Sequence, residues 1–286
     1  MRFQLDLTKE YGIVLEGGGA RGSYQIGAWK ALREAGIKIR GIAGASVGAL
    51  NGALICMDDL EKAEEIWENI RYSQVIDVDD DVIETVKKLD LKSLDLVKVA
   101  EDAKKILKDK GLDITPLKNL IESVVDEDKI RSSDRELYLT TYSVTDRELL
   151  VLNAKDIPDG EIGDMLLASA YFPAFRNDKL GGKRYLDGGG WNNVPINILL
   201  EHDYKDILVI RIYGLGYDSE RTTEIPKDVH VTHIAPRQDL GGILEFDRTR
   251  ARKNMTLGYY DAKRVLYGLE GRWYYLYAPE SDVYYF

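Results

Sequence analysis

Cysteine, histidine and proline are scarce in this 286-residue chain, with one, three and seven copies respectively. A lone Cys56 allows no intrachain disulfide and suits a reducing compartment, so a cytoplasmic setting is expected, with the thiol serving as a small buried hydrophobe. Basic residues are also in deficit. Lys and Arg total 39 against 49 Asp and Glu, a net charge of −10, which argues against a nucleic-acid binder because no basic footprint is available. Long hydrophobic runs are missing too. The longest, residues 42–57, falls short of the ~18 residues of a membrane span and contains Ser46 and Asn51, so no transmembrane segment is expected. The opening MRFQLDLTKEYG lacks the apolar stretch of a secretory signal, so no export is implied.

What is present is the make-up of a packed globular protein: 44% hydrophobic residues, 31% charged residues and 26 Gly. At ~150 residues per domain the length fits two domains, or one large α/β domain carrying an insertion. Residues 11–16 form an apolar run ending in three glycines, which predicts a buried strand. A helix is predicted over 23–35 and stopped by Gly36. A second strand follows over 37–43, and a second helix, rich in Ala and Gly, over 47–57. Such a βαβ unit has parallel strands and a right-handed crossover, so the Gly17 loop and the Gly44 turn become neighbours at the carboxyl edge of the sheet.

Between Asp58 and Ile130 helical spacing takes over, with 21 Asp and Glu against 12 Lys and Arg, and this reads as an acidic helical insert with solvated outer faces. A hairpin is expected over 137–144 and 148–152, with Thr145, Asp146 and Arg147 in its turn. Further elements are a short helix over 163–171, buried strands over 206–213 and 229–235, and a closing helix over 247–267. Arg248, Arg250, Arg252 and Lys253 at the start of that helix read as a solvated face.

Gly17, Gly18, Gly19, Ala20, Arg21 and Gly22 satisfy the G-x-G-x-x-G spacing of a dinucleotide fingerprint between a strand and a helix. The acidic partner for a ribose is absent, since nothing acidic lies between Glu34 and Asp58, and no Gly-Lys-Ser/Thr ending makes a P-loop. At the end of the second strand stands Gly44-Ala45-Ser46-Val47-Gly48, the G-x-S-x-G of a nucleophile elbow. With Ser46 as acyl-transfer nucleophile, the amides of the Gly17–Gly19 turn can stabilise the charge that builds on a carbonyl oxygen. Arg21 either shapes that loop, adds positive potential, or is a surface residue.

For a base, histidine is the first candidate, but His230 and His233 lie on opposite faces of a strand and His202 sits at a helix end or on the surface. Asp187 in Tyr185-Leu186-Asp187-Gly188-Gly189-Gly190 reads either as a turn residue capping its own backbone or as a strand-end base.

Taken together, GGGARG at Gly17 to Gly22, GASVG at Gly44 to Gly48, and Asp187-Gly188-Gly189 with Asn193 and Pro195 resemble the patatin-like phospholipase family of acyl hydrolases. The segment Ala168-Ser169-Ala170-Tyr171-Phe172-Pro173 resembles the family's stretch upstream of the aspartate, and the likeness runs over about residues 12–200. Two departures stand out: Glu16 replaces the Asp of many members, and the insert carries no family motif.

The resemblance implies a three-layer α/β/α fold with a mostly parallel central sheet, in one domain over 11–286 with an insert or lid at about 58–130. It also implies a dyad of Ser46 and Asp187, with an oxyanion loop of Gly17, Gly18, Gly19, Arg21 and Gly22 centred on the amides around Gly18 and Gly19. No metal and no organic cofactor is implied. The expected partner is a lipid or acyl-ester substrate, with peripheral membrane contact and oligomeric state left open. Trp67, residues 89–99 and some tyrosines are candidates for an apolar lid or acyl pocket, core packing being their simpler role. An acidic insert beside the mouth favours neutral lipids, lysolipids or soluble esters over anionic membranes. Alternative readings are an α/β-hydrolase whose triad uses His202 or His233, a nucleotide-binding module, and a non-catalytic acyl carrier.

Overall fold

In the computed structural model, which describes residues 5–77 and 111–268, strand β1 (Glu10–Leu15) lies at the centre of the sheet. Its residues from Tyr11 onward are buried on both faces, as a central parallel strand requires. Strands β2 (Lys38–Ala45) and β6 (Asp206–Ile210) flank it in parallel, β3 (Glu136–Ser143) extends the parallel order beyond β2, and β7 (His230–Ile234) beyond β6. Two antiparallel strands pair with β3: β4 (Glu148–Asn153), through a turn with Arg147 at φ 62°, and β5 (Tyr185–Asp187). Among the described residues the sheet has seven strands in the order β4-β3-β2-β1-β6-β7, with β5 beside β3.

Helices cover both faces. On one lie α1 (Ser23–Glu34), α2 (Val47–Cys56), α6 (Ile162–Ser169) and the long α9 (Arg248–Tyr267), packed on Ile13, Leu15, Ile42, Leu139 and Leu208. The other layer is thinner: α8 (Ile196–Glu201) covers Val14, Ala43, Ile207 and Val209. The result is the expected three-layer α/β/α arrangement. Each fully buried Ile or Leu removes enough apolar area to contribute ~1.5–3 kcal/mol, so these two side-chain layers drive the assembly.

Helices α1 and α9 cross at glycine: a Cβ on Gly27 would lie 1.8 Å from the Met255 carbonyl oxygen, and one on Gly258 2.0 Å from that of Tyr24. Only backbone can occupy such a contact.

The acidic insert does not stand apart from the core. Its helices α3 (Leu60–Asn69), α4 (Thr115–Val124) and α5 (Glu127–Ser132) turn Ala63, Trp67, Leu117, Ile121 and Ile130 into the same apolar cluster as the sheet. Asp59 and Asp126 start two of them by accepting from the amides of Lys62 and Lys129. Residues 78–110, including the apolar stretch 89–99, lie outside the described residues. No helix among the described residues is long and apolar enough to cross a membrane.

One strand is shorter than its sequence suggests. Strand β6 ends at Ile210, not Tyr213, because the buried Glu16 carboxylate takes the amides of Ile212 (2.6 Å) and Tyr213 (3.0 Å) and draws the chain off the ladder.

Candidate active site

Ser46 joins β2 to α2 with φ 54° and ψ −126°, a backbone state that an L-residue adopts only when its surroundings impose it. The imposing contacts are short. A Cβ on Gly48 would lie 2.1 Å from the Leu15 carbonyl oxygen, and one on Gly44 2.5 Å from the Gly48 backbone, so both flanking positions admit glycine alone. The turn leaves Ser46 half-buried at the head of α2, with its amide donating to the Ser169 hydroxyl at 3.0 Å.

Asp187 ends β5, where Thr141 is its neighbour in register, and it is held by the chain on either side. Its amide donates to the Tyr171 carbonyl at 2.8 Å, and its Oδ1 accepts the Gly189 amide at 2.8 Å. Ser46 borders the same cleft, and its hydroxyl acts on the Asp187 carboxyl as a hydrogen-bonding neighbour that lowers its pKa. Burial raises the Asp187 pKa from 3.8 to about 6, against the lowering effect of those two hydrogen bonds. Gly188 packs on the Thr140 carbonyl, and Gly189 accepts from the Tyr217 amide through its own carbonyl.

The glycine-rich loop is stitched to the segment after Asp187. Gly17 donates to the Asn193 carbonyl at 3.2 Å and accepts from Asn193 Nδ2 at 3.1 Å. Gly18 and Gly19 face the same space as Ser46, and among the described residues their amides donate to no backbone carbonyl. Arg21 and Gly22 lie away from that space. The Arg21 guanidinium donates to the carbonyls of Gly241 (2.8 Å) and Tyr213, clamping the loop from behind, while Gly22 packs against Val47 and Trp67.

Ser46, Asp187, Gly18, Gly19 and Asn193 meet at a cleft of ≈ 1090 Å³, its open mouth included. Nearly all the remaining wall is apolar: Leu54, Met57, Ile66 and Trp67 from α2 and α3, Leu117, Ile121 and Val124 from α4, and Phe172 and Phe175 after α6. Helices α3 and α4 of the insert therefore build part of the apolar wall. Trp67, a candidate for this pocket in the sequence, does line it, and the helically spaced Leu117, Ile121 and Val124 join it there.

A buried polar chain, not read from the sequence, connects this wall to the loop. Trp67 Nε1 donates to Asn51 Oδ1 at 3.0 Å, and Asn51 Nδ2 donates to the Gly22 carbonyl (2.9 Å) and Gln25 Oε1 (2.8 Å). Gln25 Nε2 then donates to the Glu16 carbonyl at 2.7 Å.

Behind the loop, Arg211 pairs with Glu16 (3.0 Å), Asp218 (2.7 Å) and Glu220 (2.7 Å). Burial pushes the Glu16 pKa up, opposed by the Arg211 charge.

The histidines lie elsewhere. His202 lies against the Tyr138 ring at a tilt of 41° with Nδ1 2.8 Å from the Ile198 carbonyl, and His233 Nε2 meets Glu220 at 2.5 Å; neither borders the cleft.

A mostly parallel sheet carrying a serine on a strained strand-to-helix turn above an apolar cleft places the protein among three-layer α/β proteins of the elbow-serine kind. It belongs to the patatin-like phospholipase family, whose sequence model matches residues 13–200. Among curated relatives, the chain is 58% identical over 50 residues to lysophospholipase nte1 of Aspergillus terreus, covering 18% of this chain and 3% of that one. It is 57% identical over 47 residues to neuropathy target esterase sws of Drosophila sechellia, covering 16% and 3%. The matches thus span a small fraction of those relatives' length. Among solved structures, VipD from Legionella pneumophila is similar with a TM-score of 0.49 at 16% identity, covering 89% of this chain and 66% of that one. The type III effector ExoU gives a TM-score of 0.47 at 17% identity, covering 90% and 53%.

Proposed function

We propose that this protein hydrolyses carboxylic ester bonds of lipids with a Ser46–Asp187 dyad. The observation that carries the reading is the meeting of an elbow serine and a carboxyl of raised pKa in one apolar cleft.

Ser46 Oγ attacks the ester carbonyl while its proton passes to Asp187. The resulting oxyanion is met by the amides of Gly18 and Gly19, which have no competing backbone acceptor among the described residues. Asp187 returns the proton to the leaving alcohol, and an acyl-Ser46 ester remains. Water then attacks that ester, giving its proton to Asp187, and Ser46 leaves with a proton as the carboxylic acid is released. Asp187 is suited to both directions because a pKa of about 6 is closer to neutral than that of an ordinary aspartate. Gly17, Arg21 and Gly22 hold the loop in place without meeting the substrate. In this reading no metal or organic cofactor takes part, and the single buried thiol fits a cytoplasmic setting.

The cleft also bears on the substrate. Its walls offer few polar groups beyond the catalytic end, which suits one extended acyl chain whose ester lies at Ser46. Ile66, Trp67, Leu117, Ile121 and Val124 of the insert contribute this wall, so its described helices are proposed as the acyl-binding part of a single domain.

The test is reaction of the purified protein with a fluorophosphonate probe, together with nitrophenyl ester turnover in wild type, Ser46→Ala and Asp187→Asn. An adduct on Ser46 and loss of turnover in both variants is expected. Turnover retained in Asp187→Asn would exclude the dyad.

A further inference from the structure

The two residues of the dyad come from separate elements, the β2–α2 turn and the end of β5, and one short segment bonds to the backbone of both. Ser169, the last residue of α6, accepts the Ser46 amide on its hydroxyl at 3.0 Å. Two residues on, the Tyr171 carbonyl accepts the Asp187 amide at 2.8 Å. Ala170 between them borders the cleft.

The segment is itself held in a tight winding, with Ala170 donating to the Leu167 carbonyl at 3.0 Å and Tyr171 to that of Ala168 at 3.3 Å. Ser169 is fully buried and Tyr171 nearly so, at 0% and 3% exposure, so solvent does not compete for these bonds.

The Ser46 amide has no place in either neighbouring ladder. Pairing of β2 with β3 ends at Ala45 opposite Thr140, and α2 begins at Val47. A side-chain oxygen is therefore what satisfies it, at the residue whose φ of 54° most needs external restraint.

We propose that Ser169 is a positioning residue: with the Tyr171 carbonyl it forms a strap that sets the separation of Ser46 from Asp187. The proposal rests on the dyad reading above and adds to it the device that holds the dyad in register. Without the hydroxyl, the Ser46 amide loses its acceptor, and the Ser46 hydroxyl no longer stays within reach of the carboxyl. The acyl cleft is otherwise unaltered, so the loss belongs to the chemical step rather than to substrate binding.

The experiment compares wild type, Ser169→Ala, which removes the acceptor, and Ser169→Thr, which keeps it. Ser169→Cys, of similar volume but a weak acceptor, stands in for the alanine variant if that chain does not fold. The readouts are melting temperature, kcat and KM on a nitrophenyl ester, the rate of fluorophosphonate labelling, and the pH at which activity falls on the acid side. Folded Ser169→Ala is expected to lose roughly 10- to 100-fold in kcat and labelling rate with KM within about twofold, and its acid limb is expected to move upward as the Ser46 hydrogen bond to Asp187 weakens. Ser169→Thr is expected to recover at least a third of wild-type kcat.

A folded alanine or cysteine variant within about threefold of wild type overturns the strap while leaving the dyad standing. So does a folded threonine variant as impaired as alanine. A wild-type chain that neither labels nor turns over ester instead overturns the dyad, and the strap with it.

Discussion

In the proposed mechanism Asp187 is a base with a pKa of about 6, so activity must fall in a pH range where an ordinary aspartate stays ionised. Its carboxyl is moved upward from 3.8 by burial, and only the ionised form accepts the Ser46 proton. Activity is therefore present above about pH 6 and lost as pH falls through that value. One unit lower, at about pH 5, roughly a tenth of the sites are ionised, so the rate drops ~10-fold from its plateau. An aspartate left at 3.8 would still be more than ~90% ionised there and would show almost no loss. The assay is kcat/KM for a short nitrophenyl ester between about pH 4.5 and 8, since that ratio reports the pKa of the free enzyme. Circular dichroism at each pH separates titration from unfolding. A folded protein whose kcat/KM stays flat down to about pH 4.5 refutes the argument that burial sets this base.

The same burial has a stability signature of opposite value. A folded-state pKa raised from 3.8 to about 6 means that the contribution of Asp187 to stability is full below 3.8 and lost as pH rises through 6. Asp187→Asn should therefore be inactive yet about 1–3 kcal/mol more stable than wild type at about pH 7.5, an advantage that vanishes in urea melts near about pH 4. A variant less stable than wild type at neutral pH contradicts the assignment. At the half-buried Val124 on the cleft wall, Val124→Trp should reduce kcat/KM for esters of about 12 to 16 carbons by ~10-fold while butyrate hydrolysis changes less than ~2-fold. Equal losses on both chain lengths would place the acyl chain elsewhere. His202→Ala and His233→Ala should each retain activity within about twofold, since neither ring borders the cleft, whereas collapse of either variant while folded would restore a triad.

How far the site could be read in advance depended on whether its constraints were local. Gly44, Ser46 and Gly48 are legible because a sharp turn between strand and helix confines its demands to five consecutive residues, two of which have no room for a side chain. Asp187 was ambiguous in isolation. A three-residue strand such as β5 is too short to show periodicity, and a carboxylate before glycines serves equally well as a turn cap; indeed Asp187 does accept the Gly189 amide. Arg21 and Gly22 were grouped with the oxyanion loop because they adjoin it in sequence. In space the chain bends through a short helical turn at Gly19–Gly22, so the two residues face the packing around Gly241 and Val47 instead. Ser169 carries no signal of its role in the sequence, since nothing in its own neighbourhood announces a partner 123 residues away. Core packing is the simpler role the sequence offers Trp67, and the apolar faces of α3 and α4 do join the main core while also lining the cleft.

Burial of Asp187 and the apolar walls of the cleft are linked, since Asp187 lines the same cleft. In the proposed mechanism, the burial that raises the Asp187 pKa and the apolar wall offered to an acyl chain belong to one cleft, which Leu166, Ala170 and Phe172 line together with Asp187. A histidine has no such need, because its ordinary pKa already lies near neutrality, and a triad can therefore sit in a more open site. A carboxylate base ties catalysis to an apolar pocket: opening the cleft to water would lower the Asp187 pKa and weaken the base, even with Ser46 in place. Within the proposed mechanism, the preference for lipid chains and the competence of the dyad thus arise from the same packing.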